Sequence, residues 1–128
     1  KLFKKYPDAM SLSRAPLSDI KKIIYSTGFY NNKSKNIKAC ATQILEDYNS
    51  KVPEDLDLLV KLSGVGRKTA NVVLSAAFGH QTIVVDTHVL RISKRLGLTD
   101  KTDPVKVEYE LMEIIHLIFS LYILHSLI

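Results

Sequence analysis

Apolar residues recur at three- and four-residue steps along nearly the whole chain, and prolines and glycines stand where those runs begin and end. Such a pattern admits packed helices and little else. Pro16 can take the first helical position ahead of Leu17, Ile20 and Ile24, which share a face, and Gly28 stops that run. Next, "NKSKNIKACATQILEDY" lines up Ile37, Cys40, Ala41, Ile44, Leu45 and Tyr48. Pro53 opens a short helix carrying Leu56, Leu59 and Val60, and Ala70, Val73, Leu74 and Ala77 form another stripe, closed by Gly79. Asp86 precedes Val89, Ile92 and Leu96, with Gly97 as a stop, and Asp103 with Pro104 reads as N-cap and first residue of a last helix. Only "TIVV" (Thr82 to Val85) looks strand-like, and a lone strand has nothing to pair with. The expected fold is all-α with short connections.

The 128 residues suffice for a modest core. A single cysteine, Cys40, excludes an internal disulfide and any four-cysteine metal or iron–sulfur site built from this chain alone, and favours an intracellular, reducing compartment. The opening "KLFKKYPDAM" has no apolar signal region. The closing "IIHLIFSLYILHSLI" is shorter than the ~20 residues of a spanning helix and reads as a buried helix instead. Charge is uneven: residues 1–40 hold nine Lys/Arg against two acids, the remainder nine against eleven. One surface is therefore expected to meet a polyanion, or to be a solvated basic face.

Between two helical runs lies "SGVGRK", Ser63 to Lys68. Gly64 and Gly66 permit positive φ and leave backbone N–H groups uncovered at the positive end of the next helix dipole. Such a turn is either a compact helix–helix connection or a cradle for a phosphate oxygen; the adjacent Arg67 and Lys68 favour the phosphate. Lys68, in the first turn of a helix, reads in two ways. It is an exposed phosphate contact, or an amine kept from its ammonium form by dipole and burial, and so available as a nucleophile. The helix from Lys68 advances about 15 Å. Residues 79–86 can extend roughly 28 Å, so Asp86 can return to the end where Lys68 stands. Asp86 is also a good N-cap for "THVLRI", and one carboxylate can serve both purposes.

The stretch "LSGVGRKTANVVLSAAFGHQTIVVDTHVLRISKRLGL", with "APLSDIKKIIYSTGFYNNKSKNIKACATQIL" and "VPEDLDLLVKL" upstream, resembles the endonuclease III family of helix–hairpin–helix DNA glycosylases over residues 1 to about 115. The resemblance implies an all-α glycosylase fold, with 1–84 a partial six-helix barrel domain carrying the helix–hairpin–helix at about 54–79. Residues 85–128 would then be part of a second helical domain. It implies a base-excision repair glycosylase and abasic-site lyase acting on oxidised pyrimidines in duplex DNA, with Lys68 as nucleophile and Asp86 as its partner. Gly64, Val65 and Gly66 would hold a phosphate through backbone amides; Arg67, His88, Lys33 and Lys35 would face the same DNA. The two lysines fall in the glycine-led connection "GFYNNKSKN". The alternative is a non-catalytic helix–hairpin–helix DNA-binding module or an inactive fragment.

The family's opening helices, including the segment whose glutamine fills the gap left by the extruded base, would precede Lys1. Its four-cysteine 4Fe–4S loop would follow the last residue, so no cofactor is expected within this chain beyond a possible monovalent cation at the hairpin. Apolar faces covered by those segments would be exposed. The resemblance implies duplex DNA as partner, with neither a membrane nor an obligate protein partner. The protein would be found with the DNA, in the cytoplasm or nucleoid, or in the nucleus of a eukaryote. Two departures from the family pattern are Ser63, where proline is usual, and "ILHS" at Ile123 to Ser126, where glycine ends the motif.

Overall fold

A computed structural model describes residues 1–126, the side chains of 119 and 122–126 being outside the described set, so the "ILHS" resemblance lies beyond it. The fold is all-helical, with no strand among the described residues. Helices α1 (Leu2–Lys5), α2 (Ala9–Arg14) and α3 (Leu17–Ile24) are followed by a 3₁₀ turn at Tyr25–Thr27. Then come α4 (Tyr30–Asp47), α5 (Leu56–Leu59), α6 (Arg67–Phe78), α7 (Thr87–Arg95) and α8 (Pro104–Ser126). They form two compact units, Lys1–Ala70 and Asn71 onward.

In the first unit α2 and α3 pack on α4. Ile20 is fully buried with Leu12, Ala15, Ile24 and Ala41, and Tyr6, Tyr30 and Ile37 close over them. Burying one such aliphatic side chain contributes about 1.5–3 kcal/mol. Small residues on α4 allow the close approach: Ser34 is inaccessible to solvent, and its hydroxyl is satisfied by donating to Asn31 O at 2.9 Å. Lys38 reaches across to donate to Ala15 O, at the C-terminal end of α2 (2.7 Å).

Helices α1 and α2 are absent from the sequence reading. Neither has a long apolar stripe, but α2 carries a local signal in "DAMS": the Asp8 carboxylate accepts from Ser11 N (2.7 Å) and Asp8 N donates to Ser11 Oγ (3.3 Å). Pro16 is the N-cap of α3 rather than its first residue, and α5 begins behind Asp55, which accepts from Leu58 N at 2.9 Å, rather than at Pro53. At α5 a side-chain acceptor satisfies an orphan N–H, which proline cannot do, whereas Pro16 caps α3 without a side-chain bond.

Helix α1 is tied to α3 by the Asp19 carboxylate, which accepts from Lys5 Nζ and from Tyr6 OH (2.9 Å). The Lys5 hydrogen bond, then that of Tyr6, holds the Asp19 carboxyl below its ordinary range. A depressed carboxyl stabilises the fold above its unfolded value near 3.9, and the contribution is lost as pH falls through the folded value. Acid titration of wild type should therefore release α1 in a step that Asp19→Asn lacks, read by exchange of the Tyr6 amide, which donates to Leu2 O.

The second unit is centred on Val107, fully buried, with Val85 and Leu111; Ile83, Val89 and Leu90 pack against them. Asp103 caps α8, accepting from Lys106 N at 2.9 Å, with Pro104 first in the helix as the sequence suggests. Thr82–Val85 has no regular structure and joins no strand ladder. Two stripe assignments fail. Ile92 and Leu96 are 50% and 68% exposed, and along the apolar run of α8 Ile115, Leu117, Ile118 and Leu121 are all exposed rather than buried. No helix among the described residues is long and apolar enough to cross a membrane.

Candidate functional site

The hairpin joins α5 to α6. Val65 N donates to Leu62 O (3.1 Å), closing the turn, and Ala70 N donates to Gly66 O (2.9 Å), opening α6. The two glycines have different reasons to be there. Gly64 has φ +75°, and a Cβ at that position would meet Asn36 Cβ of α4 at 2.8 Å. Gly66 is not in the left-handed region, contrary to expectation, and a Cβ there would project into open space. Gly64 is thus required by the fold, whereas Gly66 leaves clear room over the backbone for an approaching group.

Ser63 secures the turn where proline would have stiffened it. Its N–H donates to Gln43 Oε1 (2.7 Å) and its hydroxyl to Asn36 Oδ1 (3.2 Å), while Gln43 Nε2 donates to Lys61 O (3.4 Å). A proline could not make the first of these bonds. Asn36 and Gln43, seven residues apart on one face of α4, are functional supports that periodicity did not reveal, because only the packed hairpin gives them partners. The hairpin also lines a groove of about 620 Å³ with Phe3, Leu12, Ile37 and Cys40. Burial of Cys40 pushes its thiol up, so the thiolate is disfavoured.

Replacing Gly64 by alanine should destabilise the first unit by about 2–4 kcal/mol, the sum of a left-handed Cβ penalty and displacement of Asn36. Gly66→Ala should cost under about 1 kcal/mol. Denaturant unfolding of the two variants checks the contrast.

The charged candidates are distributed as follows. Arg67 and Lys68 are the first two residues of α6, and Lys68 is exposed, so the burial expected around its amine is not found. Lys33 and Lys35 lie in the first turns of α4, not in a connection. Lys33 Nζ donates to Thr27 O (2.9 Å), closing the 3₁₀ turn, and Lys35 is exposed. Just before them Gly28 (φ +66°) and Phe29 (φ +48°) turn the chain into α4, leaving the Phe29 ring 86% exposed. A bulky residue in the left-handed region is strained, and such strain concentrates at functional positions.

In the second unit Asp86 is the N-cap of α7, its Oδ1 accepting from His88 N (3.0 Å) and Val89 N (2.8 Å). His88 is exposed, its Nδ1 3.4 Å from the Arg91 guanidinium. Among the described residues no cluster of His, Cys, Asp and Glu could hold a metal ion. Four thiolates for an iron–sulfur cluster cannot be drawn from a chain whose one cysteine is Cys40.

The sequence profile of the HhH-GPD superfamily of base excision DNA repair proteins matches residues 1–116. Endonuclease III of Bacillus subtilis is 53% identical over 112 residues, covering 87% of this chain and 51% of its own length. That of Synechocystis is 49% identical over 115 residues, covering 89% and 52%. A solved non-covalent endonuclease III–DNA complex superposes with a TM-score of 0.84 at 47% identity, covering 88% of this chain and 53% of the other. A thermostable thymine-DNA glycosylase superposes with a TM-score of 0.68 at 30% identity, over 72% and 42%. The chain spans about half the length of the curated relatives it matches. By its profile match and these identities, this chain belongs to the HhH-GPD superfamily of base excision DNA repair proteins.

Proposed function

We propose that this chain carries both reactions of a base-excision DNA glycosylase with abasic-site lyase activity, with Lys68 as nucleophile and duplex DNA bearing oxidised pyrimidines or abasic sites as substrate. The observation that carries the reading is the placement of Lys68 at the head of α6, accessible to an incoming nucleotide, directly after a hairpin whose backbone is left open at Gly66. The relatives named endonuclease III and the DNA bound in the superposed complex support it. Site of action is then wherever the DNA is. The division into a barrel part, 1–84, and a second helical part, 85–128, belongs to the same reading.

The hairpin holds one phosphate by backbone N–H groups at the positive end of the α6 dipole. Val65 N is already committed to Leu62 O, which shifts the expected contact to the amides of Gly64 and Gly66. Arg67, His88, Lys33 and Lys35 supply positive or polar contacts to the backbone, which position without reading sequence. The neutral Lys68 amine attacks C1′ of the extruded nucleotide; the C1′–N bond breaks and the base leaves with a proton. Opening of the sugar ring, with loss of the amine proton, gives an imine between Nζ and C1′. Removal of a C2′ proton then expels the 3′ phosphate. Asp86, ionised, stabilises the positive charge that develops on the sugar. No step is routed through a hairpin cation.

The test is borohydride trapping on a duplex with one abasic site. Hydride reduction of the imine should leave a covalent protein–DNA adduct, absent from undamaged duplex. Salt-sensitive duplex binding without any adduct would instead assign the chain as a DNA-binding module.

A further inference from the structure

The loop 79–86 carries no regular structure, yet it must deliver Asp86 to one place at the head of α7. Two ties hold it. One is apolar: Ile83 and Val85 pack on Val107 and Leu111 of α8. The other is polar and buried. Asn71 of α6 and Glu108 of α8 are 3% and 6% exposed, and Asn71 Nδ2 donates to Glu108 Oε2 at 3.0 Å. The same amide lies 3.5 Å from Ile83 O, and Asn71 O accepts from Thr82 Oγ1 at 2.9 Å. Asn71 therefore faces a carboxylate on one side and the loop backbone on the other.

A buried carboxylate is costly to keep, and two apolar residues could fill the same space. What they could not do is fix the orientation of the Asn71 side-chain amide, and through it the position of Ile83 O, three residues before the catalytic carboxylate; the Thr82 bond goes to the Asn71 main chain and survives either substitution. We infer that Asn71 and Glu108 are positioning residues for Asp86. The inference rests on the proposed function for its catalytic consequence, though not for its structural one. Glu108 belongs to the same turn of α8 as Val107, so one helix sets both ties of the loop.

Two variants test it: Asn71→Leu with Glu108→Leu together, and Glu108→Gln. The double variant removes both polar groups and should keep the wild-type fold and plain-duplex affinity. Its rate of adduct formation at saturating abasic duplex should fall about 10–100-fold, since small misplacements of a reacting group cost that much. Glu108→Gln retains an acceptor and should recover most of the rate. A folded double variant trapping at the wild-type rate would overturn the inference.

Should wild type itself form no adduct, the proposed function fails, and the exchange protection of the His88 and Val89 amides decides the positioning role. Lower protection in the double variant, restored by Glu108→Gln, supports it; unchanged protection overturns it.

Discussion

Lys68→Ala should reduce the borohydride adduct to background while leaving the fold intact. The side chain is exposed at the second position of α6, so its removal leaves no cavity. Lys68→Arg separates the two roles open to a cation at this place. Guanidinium preserves the charge and any phosphate contact but stays protonated and forms no imine. If Lys68 is the nucleophile, both variants lose the adduct, and arginine keeps the duplex affinity. If Lys68 only contacts phosphate, alanine should lower the salt slope of binding by about one unit and the adduct should persist in both.

Asp86→Asn should slow adduct formation by about 10²–10³-fold with little change in stability. Asparagine caps a helix about as well as aspartate, so the bonds from His88 N and Val89 N should survive the change. What disappears is the negative charge. Asp86→Ala should lose the same rate and about 1 kcal/mol of stability in addition, because the first turn of α7 is then uncapped. Comparing thermal unfolding with single-turnover trapping in the pair divides the capping role from the chemical one. Equal rates in wild type and Asp86→Asn would confine Asp86 to the cap.

How far the sequence reached depends on how local each interaction is. The caps at Asp86 and Asp103 were legible because a carboxylate two or three residues before its N–H partner is a matter of a few bonds. The stop at Gly79 is equally local, since positive φ at a helix end is a property of glycine itself. Helix α2 rests on a reciprocal Asp8–Ser11 bond that was legible in principle, though six residues give too little periodicity to call attention to it. Ile92 and Leu96 mislead for the opposite reason: their spacing is right, but which face of α7 is covered depends on what packs there.

The same distinction runs through the site. Helical class and the hairpin follow from residue type and spacing, because turn chemistry and dipole position act within a few residues of each other; the pairing of Lys68 with Asp86 is what the family resemblance implies. That Gly64 is forced by Asn36, that Ser63 is anchored by Gln43, and that Asn71 meets Glu108 thirty-seven residues away could not follow. Each joins groups from separate parts of the chain, and no periodicity records a partner brought close only by packing. The sequence determined which groups can do chemistry; the tertiary structure decided what holds them still.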